Sequence, residues 1–465
     1  MGDDHGWEET GYNGHPYLKT PVLDEMAANG FRFERFYSGH PSCSPTRGSV
    51  ITGRHPNRYG TFAPNWSLRP EEASIAKLLK DSGYRTGHFG KWHLGPVKKN
   101  SPTSPGAMGF SQWLSHDNFF ELNPSLSANG EPPKVYQGES SEIIVDHALK
   151  FIETAKSSEE PFFLVIWFGS PHEPFSGLEQ DLELYKQLPS LHNDRKVRLT
   201  SNETGKQVQR PLGDVLQERY AEITAMDRAI GKLRKGLKQH GCRDNTLLWY
   251  CGDNGTPSCG LLRSPLKGQK SQVYEGGVRV PGLIEWPQRI RSPMKSSHIS
   301  VTSDMLPTLC AVAGVDLPPR QLDGIDLNPV LDGKVSRRKQ PIFFWNFNSK
   351  TLPGDGKPWI APELQEGTTP LVKLSNGKPT RTFRNFHYDE IREKDYLGPR
   401  AITTQRYKLI LDQSKSTPTE LYDLDNDLGE SKNLAIDKPK IVEKLKAEMR
   451  QWQSGVLNSL TGADY

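Results

Sequence analysis

The residues of this chain that could do chemistry lie in short, widely separated stretches. Asp3-Asp4 and Gly252-Asp253-Asn254-Gly255 together offer three carboxylates and an amide oxygen. That is the oxygen-only donor set a calcium ion takes, without histidine or thiolate. Cys43-Ser44-Pro45-Thr46-Arg47, continuing to Thr52-Gly53-Arg54, reads as a loop entering a helix. Ser44 or Cys43 suits the cap and Pro45 a first helical position, so free N–H groups point at whatever sits beside Cys43, an arrangement made for an anion. Gly90-Lys91-Trp92-His93-Leu94-Gly95 follows one strand-like run, and His172, in Ser170-Pro171-His172-Glu173-Pro174, follows another. Lys270 precedes Glu275-Gly276-Gly277 by five residues, and Lys267 is its close competitor. Arg47 cannot lose its charge, whereas an imidazole exchanges protons near neutral pH. Fixed cations, if brought to such an oxygen-donor site, would suit an anionic substrate whose charge shifts in the transition state.

These stretches need a scaffold that brings them together. Helical periodicity is clearest from Gly213 to His240, with apolar residues at Leu216, Tyr220, Ile223, Met226, Ile230, Leu233 and Leu237 and Gly241 to end it. Further helices are expected over Pro70 to Lys80 and Ser140 to Lys156. Strand-like runs are Tyr84 to Phe89, Pro161 to Phe168, Asn245 to Tyr250 and Val278 to Trp286. Continuous apolar strands alternating with helices predict an α/β fold, a large, buried, mostly parallel or mixed sheet sandwiched by helices. Asp253-Asn254, just past Tyr250, then falls at the carboxyl edge of the sheet, where open α/β folds place their sites. The character changes near Pro329 to Arg338. Residues 1–335 read as the catalytic domain. Residues 336–465 read as a subdomain with a four-stranded antiparallel sheet (Pro341 to Trp345, Ala401 to Thr404, Tyr407 to Leu411, Leu421 to Leu424) and a helix from Pro439 to Gln453.

Composition narrows the class. The 465 residues carry a formal net charge of +4 with basic residues dispersed, which gives no footprint for nucleic acid. No stretch is long and apolar enough for a membrane span. Five cysteines (Cys43, Cys242, Cys251, Cys259, Cys310) show no CxxC spacing, and the four besides Cys43 are open to being free or paired.

The run Cys43 to Arg47 with Thr52-Gly53-Arg54 resembles the signature of the type I, formylglycine-dependent sulfatases of the alkaline phosphatase-like superfamily. The Gly90 to Gly95 and Lys270 to Gly277 motifs, the acidic pairs and Glu420-Leu421-Tyr422-Asp423-Leu424 match the same family in order. The resemblance implies that Cys43 is oxidised to an aldehyde, by a formylglycine-generating or an anaerobic sulfatase-maturing enzyme. One hydroxyl of the hydrated aldehyde then attacks sulfur, and the second expels sulfate. It implies one calcium ion on Asp3, Asp4, Asp253, Asn254 and the residue at 43. Arg47, Lys91 and Lys270 would balance charge, His93 would take the diol proton and His172 would assist the leaving alcohol.

The expected substrate is a sulfated glycan or polysaccharide, with Trp66, His116, Trp359, Arg381, Arg384 and His387 as sugar-binding candidates. Alternatives are a phosphonate monoester or phosphodiester hydrolase, and a non-catalytic glycan-binding relative. The family places an apolar strand and a secretion signal ahead of the first acidic pair. Met1 is therefore expected to be internal to a longer protein that works in the periplasm or outside the cell.

Overall fold

The computed structural model describes every residue except 202–203, 349–355 and 371–380. Strand Arg85–Lys91 lies between and parallel to Gln112–His116 and Phe162–Trp167. Ser125–Ala128 and Lys134–Val135 extend that sheet antiparallel, giving five strands. A second sheet of four orders Leu248–Cys251, Gly282–Glu285, Phe31–Phe33 and Met294–Ser296. The first residues of the chain join the two. Gly2 pairs parallel with Gly252, and its N–H reaches the Cys251 carbonyl at 2.9 Å. On the other side, the Phe168 N–H reaches the Met1 carbonyl and the Asp3 N–H the Ser170 carbonyl, both at 3.0 Å. Four parallel segments therefore end at one edge, which carries Asp3-Asp4, Lys91, His172 and Asp253.

The sheets are more mixed than the apolar runs suggest. Gly282–Glu285 runs antiparallel to both its neighbours, Leu248–Cys251 and Phe31–Phe33. The expected strand from Val278 to Trp286 divides at Pro281 into Arg279–Val280 and Gly282–Glu285, which pair with different neighbours. A proline has no N–H for a central ladder, so the chain changes sheets there.

Helix Leu212–Gln239 buries Leu216, Tyr220, Ile223, Met226, Ile230 and Leu233 against Ser140–Ser157 and one face of the sheets. Helices Cys43–Thr52, Ile75–Asp81 and Met305–Ala313 cover the other face. Ile75–Asp81 starts later than the periodicity suggests, because the Ser74 hydroxyl caps it by accepting the Lys77 N–H at 3.0 Å. No helix among the described residues is long and apolar enough to cross a membrane.

Near the C-terminus, Ile342–Trp345, Arg400–Thr403, Tyr407–Leu411 and Thr419–Asp423 form an antiparallel sheet in that order. Helix Pro439–Leu460 packs on it, with Trp452 stacked on Phe343 at 4.5 Å. This helix runs past Gln453 despite Gly455, because Val456, Leu457 and Leu460 are buried with Phe62 and Trp345. Packing outweighs the roughly 1 kcal/mol glycine penalty.

Candidate active site

The Cys43 motif does begin a helix, two residues earlier than its proline suggests. Ser42 is the cap, Cys43 the first helical residue and Pro45 the third. The first turn has no internal use for its N–H groups, so a proline there costs nothing and Cys43 sits at the open, partly positive end. Every residue of this helix is buried.

Around Cys43 the distant stretches meet. Its Sγ lies 3.5 Å from Asp3 Oδ1 and 3.7 Å from Asp4 Oδ1. One ligand-type atom from each of Asp3, Asp4, Cys43 and His172 fits within a 4.8 Å spread. Asp253 completes the acidic set: its Oδ1 accepts the Asp4 N–H at 2.8 Å, and its Oδ2 accepts from Arg47 Nη2 at 2.6 Å. Lys91 Nζ holds Asp3 Oδ2 at 2.6 Å, and Lys270 Nζ holds Asp4 Oδ2 at the same distance. Lys270, the alternative favoured by spacing, is thus the lysine in the site. Lys267 instead bonds Glu420 and Tyr422 in the C-terminal sheet.

Two site residues adopt left-handed backbone conformations unusual for side-chain-bearing residues: Asp4 at φ 58° and His93 at φ 56°. Such geometry persists where the surroundings fix it and is concentrated at working sites. The Arg47 guanidinium lies 5.0 Å from the Trp167 ring centroid and also donates to the Lys91 carbonyl at 3.2 Å.

The titrations follow from burial. Burial pushes the Cys43 thiol well up, so it is uncharged and a poor nucleophile as a thiol. Burial also raises Asp3, to about 7, against the pull of Lys91. Asp4 goes the other way: burial opposes its charge, but Lys270 and His172 hold it well below the usual carboxylate range. Burial and Lys91 keep His93 well below an ordinary imidazole, and burial does the same to His172.

The donors fit a hard dication. Asp3, Asp4, Asp253 and Asn254 are fully buried, and Asn254 Oδ1 has no hydrogen-bond partner among the described residues. Such an orphan is costly unless a cation or ligand meets it. Three carboxylates face three fixed cations, so a dication would leave a surplus of positive charge for an anionic substrate.

Around the mouth, Phe119 stacks on His172 at 4.2 Å and Phe383 lies 6.3 Å from the His93 ring. Of the sugar-binding candidates, Arg381 comes near the site. It is close enough to add to the charges holding His93 low, and its Nε is buried without a partner among the described residues. The others have different surroundings. Trp66 is core, packed edge-on against Phe62 and Phe386, with exposed Arg384 lying over it. His116 is buried and its Nε2 meets the Pro370 carbonyl at 2.7 Å. Trp359 and His387 stack together against Arg69. Aromatic and basic residues in loops are frequent packing elements, so their type alone did not separate them from Arg381. The five cysteines are all free.

Some residues that shape the site carry no motif. Asp117 accepts N–H groups from Thr368 at 2.6 Å and Thr369 at 2.8 Å, beside Gly367, whose own N–H reaches the Arg381 carbonyl at 2.7 Å. Arg219 interrupts the apolar face of its helix, midway between Leu216 and Ile223. A charge inside a buried stripe was the signal available for it.

Residues 1–315 match the Sulfatase family model. Human (Homo sapiens) arylsulfatase A is 29% identical over 96% of this chain and 85% of its own length. The N-acetylgalactosamine-6-sulfatase of Mus musculus is 30% identical over 75% of this chain and 68% of its own. Among solved structures, BT4656, in complex with its substrate D-glucosamine-2-N,6-O-disulfate, superposes with a TM-score of 0.73. It has 19% identity and covers 98% of this chain and 97% of its own. The chain belongs to the sulfatase family, has the alkaline phosphatase-like fold, and is an enzyme that hydrolyses sulfate esters.

Proposed function

We propose that this enzyme removes sulfate from a sugar, with Cys43 matured to formylglycine and a calcium ion held by Asp3, Asp4, Asp253 and Asn254 beside it. One observation carries the reading. Cys43 Sγ stands 3.5 and 3.7 Å from two carboxylates that Lys91 and Lys270 each clamp at 2.6 Å. The hydrated aldehyde supplies the oxygen nucleophile that a buried, protonated thiol cannot, and calcium supplies Lewis acidity toward a sulfate oxygen.

The chain's own residues do the rest. Arg47 donates Nε and Nη2 to Asp253 Oδ2 at 3.1 and 2.6 Å and so orients it. Lys91 and Lys270 present fixed positive charge where the sulfuryl oxygens sit, in a dry pocket where such charge acts strongly. His93, whose ring nitrogens are both without partners among the described residues, receives the proton released at position 43. His172 Nδ1 is engaged by the Glu173 carbonyl at 2.5 Å, which leaves Nε2 toward Lys270 and the departing alcohol oxygen.

A sugar substrate is supported by the relative named N-acetylgalactosamine-6-sulfatase and by the disulfated glucosamine bound to BT4656. Arg381 adds a cation on the substrate side and suits a second sulfate or a carboxylate on the same molecule. We place the enzyme in the periplasm or outside the cell, after maturation by a formylglycine-generating or anaerobic sulfatase-maturing enzyme. The test is a turnover screen over sulfated mono- and oligosaccharides, with an aryl sulfate and an aryl phosphonate as references. Release of sulfate from a sugar ester, sensitive to chelation, is expected. Greater efficiency on the phosphonate would contradict the reading.

A further inference from the structure

Three catalytic groups, Asp4, His172 and Lys270, form one wall of the pocket. Lys270 Nζ lies 2.6 Å from Asp4 Oδ2 and 3.3 Å from His172 Nε2, and His172 Nε2 lies 3.6 Å from Asp4 Oδ2. They come from three separate stretches of chain, two of which are tied to each other by the Asp3 N–H on the Ser170 carbonyl at 3.0 Å. Directly behind them is a buried pair that no motif marks. Arg219, on helix Leu212–Gln239, donates Nε and Nη2 to the two oxygens of Glu9 at 2.7 and 2.6 Å. Two of its remaining three hydrogens go to main-chain oxygens of the wall. Nη2 reaches the Asp4 carbonyl at 2.7 Å, and Nη1 bonds the Pro171 carbonyl, one residue before His172. Glu9 Oε2 in turn accepts the Thr256 hydroxyl at 3.0 Å, and the Thr256 carbonyl accepts the Lys270 N–H at 3.0 Å.

We propose that the Arg219–Glu9 pair is a positioning device: a single planar fork that sets Asp4, His172 and Lys270 in register with one another. The geometry fits a guanidinium and nothing else. Five donors in a fixed plane can bind a carboxylate and two carbonyls at once, while an ammonium cannot. The Asp4 backbone is left-handed, with its N–H on Asp253 and its carbonyl on Arg219, so it is held at both ends. The slot is closed around the fork. A methyl group on Gly260 would stand 2.4 Å from Arg219 Nε. Arg219 is fully buried, so its effect passes through the groups it holds. Groups that orient the ligands of a metal typically change affinity or rate by about 10- to 100-fold when lost.

The inference rests on the calcium and sulfate-ester reading above, and its test separates the two. Removing one partner strands a buried charge and lowers stability, whereas replacing both relieves it. Calcium affinity by titration, thermal midpoint, and kcat on an aryl sulfate and on a sugar sulfate are measured for wild type, Arg219→Lys, and the double variant Glu9→Gln with Arg219→Met. The double variant is expected to regain most of the thermal midpoint while binding calcium about 10- to 100-fold more weakly. Its kcat should fall further on the sugar sulfate, whose alcohol leaves less readily and depends more on His172. Arg219→Lys keeps the charge and is expected to fold with the same two losses. Wild-type calcium affinity and kcat in either folded variant would overturn the proposal and make the pair a structural ion pair only. A wild type that binds calcium yet cleaves no sulfate ester would refute the activity, leaving calcium affinity to decide the pair.

Discussion

Two of the clusters of buried charge in this molecule are built differently. One surrounds Cys43. The other sits where the C-terminal sheet meets the segment Glu275–Val278. There Lys408 Nζ lies 2.9 Å from Glu275 Oε1 and 3.3 Å from Glu430 Oε1. Tyr37 donates its hydroxyl to Glu275 Oε2 at 3.0 Å, and Glu430 Oε2 accepts the Glu275 N–H at 2.8 Å. At the seam each charged group faces an opposite charge, and even Glu430 Oε1, which has no hydrogen-bond partner among the described residues, has the Lys408 ammonium beside it. At the pocket, His93 Nδ1 and Nε2 and Asn254 Oδ1 are buried without partners among the described residues. Buried charge is therefore not a sign of function. Buried polar atoms that converge on a common space without partners are, because their cost is recovered only when a ligand arrives.

Breaking each cluster should have opposite consequences. Cys43→Ala is expected to lower sulfate-ester turnover by at least about 10³-fold with the thermal midpoint little changed, since a nucleophile is lost and no ion pair broken. Retained turnover would move the chemistry elsewhere. Lys408→Met should do the reverse. Stranding Glu275 and Glu430 is expected to cost about 3–5 kcal/mol in denaturant titrations, while kcat per folded molecule holds. Unchanged stability would mean the seam is not a lock.

Arg381→Ala sharpens the comparison at the pocket's open side. KM for a disulfated sugar should rise about tenfold, as for loss of a charge-assisted contact near 1.4 kcal/mol, with the aryl sulfate unaffected. Equal effects on both substrates would make Arg381 part of general charge balance.

The smallest expected effect comes from a carboxylate belonging to neither cluster. Asp227 accepts the Val22 and Leu23 N–H groups at 2.9 and 2.8 Å, and burial raises it from 3.8 to about 7. With the folded value above the unfolded one, the native state holds the proton more tightly. Its contribution to stability is complete below pH 3.8 and lost as pH rises through about 7. Asp227→Asn should therefore gain on wild type steadily between those limits. A stability difference independent of pH would contradict the assignment.

The sequence was most legible where a residue type has one use. Cys43, Arg47, Lys91, His93, His172 and the acidic pairs converge because they lie at strand ends or in the first turns of a helix at one edge of the sheets, and Lys270 joins them from the connection between Leu248–Cys251 and Glu275–Val278. Helix Leu212–Gln239 was equally plain from its apolar spacing. What could not be read was long-range partnership. Pro281 switches the chain between sheets, Gly455 is carried through its helix by packing, and Arg219 finds Glu9 across 210 positions. Trp66 and His116 have the chemistry of a sugar site but are consumed by Phe62 and by the Pro370 carbonyl. A local pattern specifies a side chain's chemistry; its neighbours decide whether that chemistry is already used.

The central claim is that position 43 works as an oxidised side chain beside a dication. Mass spectrometry of the peptide containing Cys43, taken from a preparation whose sulfate-ester turnover has been measured, tests it most directly. The expected result is loss of the sulfur and appearance of the aldehyde or its hydrate, in a proportion that tracks specific activity. A fully active preparation with an intact thiol at position 43 would contradict it.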